Sequence, residues 1–132
     1  MTSRSCSHSE HHRLLPPLSS ARQGYKMKDE DLYAFNLGER LEGGIRTAVE
    51  AWCADRAAAK AKYGHIASWD TSAITSMRYL FFHQGDFNED ISRWDVSNVK
   101  TMFGMFQLAT SFNGDLSLWE VGQVKYMGCM FL

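Results

Sequence analysis

Asp86, Asn88 and Asp90 stand at alternate positions, a D-x-N-x-D spacing that could turn three oxygens toward one calcium ion. The pattern then fails, because Ile91 stands where an EF-hand loop needs glycine and no glutamate closes the loop at the right distance. The carboxylates Asp70, Asp95 and Glu120 could be read as acid–base pairs. That chemistry needs two carboxyls in different environments within one cleft, whereas these three recur in the same local sequence. Accepting backbone N–H bonds in turns, alongside Ser72 and Ser97, is the simpler role, and Asp90 and Asp115 suit turn caps in the same way. His8, His11 and His12 form an H-x-x-H-H cluster with no convergent carboxylate or thiolate, so a metal held there would be adventitious. Cys53, His65 and Asp70 carry the letters of a thiol hydrolase, but no nucleophile signature surrounds them, and Cys53 beside Trp52 suits packing. There is no phosphate-cradling glycine loop, dinucleotide fingerprint or basic-aromatic face. Residue chemistry thus predicts no catalytic residue, no metal ligand, no cofactor and no nucleic-acid partner.

The elements that would position these residues are easier to read. The chain has 132 residues, room for one domain with a modest core. A formal charge of −1 gives no overall cationic field. Its three cysteines, Cys6, Cys53 and Cys129, are odd in number and lack framework spacing. No transmembrane segment or secretory signal is visible, LLPPL being too short and broken by proline. Residues 1–28 are rich in Ser, His and Arg with little apolar surface, which predicts a disordered basic lead, with Met27 as an alternative start. Residues 29–65 form the expected helical cap. Leu41, Ile45, Val49 and Trp52 recur at helical spacing, with Gly43-Gly44 weakening the first turn. A second helix is expected over 55–62, ended by Tyr63-Gly64.

Residues 66–132 repeat. Coil one is 66–90, coil two 91–115 and coil three the incomplete 116–132. The columns Trp69, Trp94 and Trp119, then Met77, Met102 and Met127, then Phe81, Phe106 and Phe131 are each spaced by 25 residues, and they mark the expected core. A neighbouring acid or serine is expected to take each indole N–H. Trp94 and Val96 alternate as in a strand. Val99, Met102, Met105, Phe106 and Ala109 follow a three-to-four spacing that predicts a short helix. A strand, a short helix and a return per coil describe an α/β solenoid whose coils bury their apolar faces only by stacking.

Within coil two and its lead-in, FNEDISRWDVSNVKTMFGMF closely resembles the F-N-x-D-I-S-x-W-D-V-S-N-V-x-x-M-x-x-M-F repeat of BspA-like leucine-rich-repeat surface proteins. The resemblance covers 66–132, and 39–65 resembles the helical segment leading into such arrays. It implies a right-handed leucine-rich-repeat-like solenoid, a cell-surface or secreted setting and adhesion or other protein contact without catalysis. Departures include Thr71 where Val96 and Val121 stand, and Glu120, Gly122 and Gln123 in place of Asp95, Ser97 and Asn98.

The functional expectation is a non-catalytic repeat module for protein or cell-surface contact. Its expected contact face is Ser68, Arg93 and Leu118 before each Trp, with Tyr79 and Cys129, beside Gly104, on the helix. The rivals are a calcium-stabilised structural repeat and, behind it, an enzyme using an acidic cluster. Coil three stops at Leu132 in mid-repeat, which raises the expectation of a fragment of a longer repeat protein, self-associating through an exposed C-terminal coil.

Overall fold

Helix α1 begins where its glycines end. In the computed structural model, which describes residues 24–30 and 42–132, α1 spans Ile45–Ala54 and buries Ile45, Ala48, Val49 and Trp52. Leu41 lies outside the described residues. The N-cap residue, Gly44, has extended backbone and no side chain to satisfy the first N–H groups. Glu30 does this from a distant segment. Its carboxylate accepts from the N–H of Arg46 at 2.7 Å and of Thr47 at 3.0 Å, and from the Thr47 hydroxyl at 3.0 Å. A Cβ on Gly44 would lie 2.0 Å from Glu30 Cδ, so the glycine makes room for the buried acid that caps the helix.

Helix α2 spans Arg56–Tyr63. Asp55 caps it, accepting from Ala58 N–H at 3.1 Å, and Gly64 ends it with φ 81°, its N–H bonded to Lys60 O. A 3-10 turn, Ile66–Ser68, leads into Trp69.

Residues 24–28, assigned by composition to the lead, instead join the cap to coil one. Met27 is fully buried and donates its N–H to Asp70 O at 2.9 Å, while Lys28 N–H and C=O bond to Gly43 and Ile45 at 2.9 Å. Residues 1–23, including His8, His11 and His12, lie outside the described residues.

The α/β fold class is overturned in the repeats. Among the described residues there is no strand, and the only α-helices are α1 and α2, both in the cap. The segment expected to be a helix, 99–109, is a run of turns: Met105 N–H bonds to Met102 O, Gln107 to Gly104 O and Ala109 to Phe106 O at 3.0–3.1 Å. Alternate amides reach sideways. Met102, Gly104, Phe106 and Leu108 donate to Tyr126, Gly128, Met130 and Leu132 of coil three at 2.8–3.0 Å. One coil earlier, Met77, Tyr79, Phe81 and His83 donate to Thr101, Phe103, Met105 and Gln107 at 2.9 Å. Amides committed to the next coil cannot close an α-helix. The path also requires positive φ at Tyr79 (55°), Gly104 (65°) and Cys129 (56°), and at His83 (66°) and Leu108 (61°). The expected strand around Trp94 is likewise a pair of tight turns, Trp94 N–H to Ile91 O and Val99 N–H to Val96 O. Among the described residues, the β-bridges between coils are isolated parallel ones, Ser76 to Thr101 and Thr101 to Tyr126.

Side chains stack at the same interval. The Trp69 and Trp94 rings lie 6.2 Å apart and 17° from parallel. Phe81, Phe106 and Phe131 form a column at 5.5 and 5.6 Å, and Phe87 and Phe112 stack on Phe81 and Phe106 at 4.1 and 4.2 Å. Trp94 Nε1–H donates to Ile66 O at 2.8 Å and Trp119 Nε1–H to Ile91 O at 3.1 Å. The indole partners are thus backbone carbonyls of the preceding coil rather than acids or serines; Trp69, first in the series, uses Gly64 O at 3.0 Å. Trp52 meets Trp69 edge-on, which merges the cap and the coils into one core.

Candidate functional site

The residue before each Trp points outward: Ser68, Arg93 and Leu118 are all exposed, while Trp69, Trp94 and Trp119 behind them are buried. Met77, Met102, Phe81 and Phe106 are buried too, but Met127 and Phe131 of coil three are 43% and 59% exposed. The second expected column does not ride on a helix. Tyr79, Gly104 and Cys129 occupy one left-handed turn position, and their environments differ. The Tyr79 ring is exposed and covers Gly104, where a Cβ would meet its Cε1 at 2.4 Å; Cys129 is half-buried. Around Tyr79 gather Phe82 and Phe103, edge-on at 5.5 and 5.6 Å, and the Arg78 guanidinium 5.8 Å from the ring centroid. Phe82 and Leu108 are exposed apolar residues absent from the expected face. The repeat held a signal for Phe82, since its equivalent in coil two is the polar Gln107.

The carboxylates sit in turns. Asp70, Asp90 and Asp95 each accept from the N–H and the hydroxyl of the serine two residues on, at 2.6–3.0 Å, and Asp115 accepts from Ser117 N–H at 2.9 Å. Glu120, with Gly122 two residues on, is exposed. Buried Thr71 uses its hydroxyl to bond Asp95 O at 2.9 Å, which accounts for a polar residue in the valine column. Of the calcium-like set, Asn88 Oδ1 accepts from Asn113 N–H at 2.8 Å and Asp90 holds Ser92, so two of its three side chains already serve the turns. Among the described residues no three His, Cys, Asp or Glu side chains are grouped to hold a metal ion.

A cleft of about 420 Å³ lies between α1–α2 and the return of coil one, lined by Trp52, Cys53 and Arg56 on one side and by His83, Asp86 and Glu89 on the other. Arg56 pairs with Glu89 at 2.9 Å and lies 5.9 Å from the Trp52 ring centroid. Burial, reinforced by the negative charges of Glu50 and Glu89, pushes the Cys53 thiol up to about 11. A thiol held protonated is a poor nucleophile at neutral pH. His65 and Asp70 do not line this cleft. His65 accepts from Ala67 N–H at 3.0 Å and packs on Trp52, while Asp70 faces Lys26 at 3.8 Å, so the three letters of a thiol hydrolase are not assembled.

Residues 51–132 match the family described as Mycoplasma protein of unknown function, DUF285. The match spans the end of α1 from Ala51, α2 and all three coils, and the chain belongs to this family. No curated protein and no solved structure matches the chain. No helix among the described residues is long and apolar enough to cross a membrane.

Proposed function

We infer that this chain is a non-catalytic module for protein or cell-surface contact, its coils serving as a frame for outward side chains. The observation that carries this reading is where exposed apolar side chains collect. The large hydrophobics exposed in coils one and two are Tyr79, Phe82 and Leu108, and all three belong to the turn segments that form the ladder. Exposed apolar groups concentrated on one repeated segment mark an interaction surface more often than scattered ones do. Rim positions such as Ser68, Arg93 and Leu118 add variable chemistry at the coil interval.

The test is capture of a partner from a cell-surface extract by wild type, by a Tyr79→Ser/Phe82→Ser/Leu108→Ser variant, and by a Ser68→Glu/Arg93→Glu/Leu118→Glu variant with unchanged circular dichroism. Loss of a specific captured protein in either variant, unaffected by a calcium chelator, is the expected result. Capture lost only on chelation favours the calcium-stabilised rival. A turnover activity abolished by Asp86→Ala, in the cleft beside Cys53, would overturn the non-catalytic reading.

A further inference from the structure

Residues 26–28 are threaded between two other segments, and both run parallel to them. Lys26 pairs with Asp70 of coil one and Lys28 with Gly44 ahead of α1, each as a parallel bridge. On one side Met27 N–H donates to Asp70 O and Tyr25 O accepts from Asp70 N–H, both at 2.9 Å. On the other, Lys28 N–H donates to Gly43 O and Lys28 O accepts from Ile45 N–H, also at 2.9 Å. Side chains complete the seat. Met27 is fully buried in the shared core, Glu30 holds the first amides of α1, Asp29 accepts from the Thr75 hydroxyl, and the Tyr25 ring meets Tyr63 edge-on at 5.1 Å. The junction between cap and coil one is therefore a groove for an extended peptide, and residues 25–30 of the chain itself are its occupant.

We propose that two copies of this chain exchange residues 25–30, each seating its Met27 and Glu30 in the groove of the other. The direction of the pairing and the length of the return connection select this occupant. An antiparallel neighbour can be joined by a tight turn, but a parallel one requires the chain to travel back to its starting end, and such a crossover takes about a dozen residues or more. Between Glu30 and Glu42 the return has residues 31–41, eleven in all. A connection at the lower limit of what a parallel return takes is the setting in which the same segment is seated in a second copy at little cost. Every contact in the groove is kept, and the chain no longer has to run back on itself. Because each copy gives one segment and receives one, two copies close a two-fold dimer in which neither α1 is capped by its own chain. The exchange leaves the ladder and its outward side chains as they are, so its test does not depend on the contact surface proposed above.

Complementation between two full-length variants tests this. One chain, ¹⁵N-labelled, carries Met27→Asp and Glu30→Ala, which spoil its own segment and leave its groove intact. The other, unlabelled, carries Gly44→Ala, which closes its groove to Glu30 and leaves its segment intact. Mixing them is expected to slow hydrogen exchange of the labelled Arg46 and Thr47 amides by at least about tenfold, because Glu30 of the second copy caps them again. A second chain carrying Glu30→Ala together with Gly44→Ala should give no such slowing. Unchanged exchange on mixing, or equal slowing by the chain without Glu30, would overturn the proposal. The native chain provides an independent reading. When ¹⁵N-labelled and ¹³C-labelled chains are refolded together at high concentration, a scalar coupling from the Met27 amide nitrogen to the Asp70 carbonyl carbon can arise only between copies. It should be present in the dimer isolated by gel filtration, and the dimer fraction should fall when a Gly-Ser stretch is inserted between Glu30 and Glu42. Absence of a dimer, a dimer without that coupling, or a dimer fraction that the insertion does not lower would contradict the exchange.

Discussion

Trp94 contributes twice to the stack, through a ring buried between coils and through an indole N–H given to the backbone of coil one. Trp94→Ala removes both and should cost about 3–5 kcal/mol in chemical denaturation. Arg93→Ala, one residue away and exposed, should stay within about 0.5 kcal/mol. Gly104 is constrained in two ways, by φ 65° and by the Tyr79 ring above it. Gly104→Ala should lose about 1–2 kcal/mol to backbone strain and about 1–3 kcal/mol more to overpacking. In a Tyr79→Ser background the second loss should disappear while the first persists. The Cys53 thiol gives a pH signature. Its folded pKa of about 11 lies above the ordinary 9.0, so the stability it contributes is complete below pH 9.0 and is lost as pH rises toward 11. Thermal midpoints should fall more steeply across that window in wild type than in Cys53→Ala.

Among the elements, α1 depends on a residue far away in sequence. Glu30→Ala should destabilise the protein by about 1–3 kcal/mol and speed exchange of the Arg46 and Thr47 amides, whose acceptor it removes. Gly44→Ala should be damaging on its own and nearly harmless once Glu30 is alanine, since the three atoms nearest the added Cβ all belong to Glu30. A double-mutant cycle by urea denaturation checks this. The cap helices were legible in sequence because local signals mark them: helical apolar spacing for α1, then Asp55 and Gly64 at the ends of α2. The Glu30 cap and the burial of Met27 were not, because both arise from a segment that returns to α1 and coil one across intervening chain. The repeat elements depart from the expected strand and helix for a different reason. Apolar residues three and four apart fit a short helix and a chain of consecutive turns equally well, and periodicity cannot tell where the amides point. Gly104 hinted at positive φ, but Tyr79 and Cys129 at the same position concealed it.

At the scale of the whole molecule, the 25-residue interval was fully readable, since identical side chains must meet identical neighbours when coils stack. Which side chains face outward was partly readable: Ser68, Arg93 and Leu118 flank the tryptophans as expected, and polar Gln107 at the Phe82 equivalent is a signal for Phe82, whereas Leu108 emerges only from the turn path. The cleft beside Cys53 was not readable, because its two walls come from the cap and from the return of coil one. The account rests above all on a ladder of backbone bonds that joins whole coils and leaves side chains free for contact. Scalar couplings across hydrogen bonds, from amide nitrogen to acceptor carbonyl carbon, report those partners directly. Correlations should link the amides of Met77, Tyr79, Phe81 and His83 to the carbonyls of Thr101, Phe103, Met105 and Gln107, and repeat one coil later from Met102 to Tyr126. Couplings from each amide of 99–109 to the carbonyl four residues earlier would mean a helix in every coil and would contradict the stack described here.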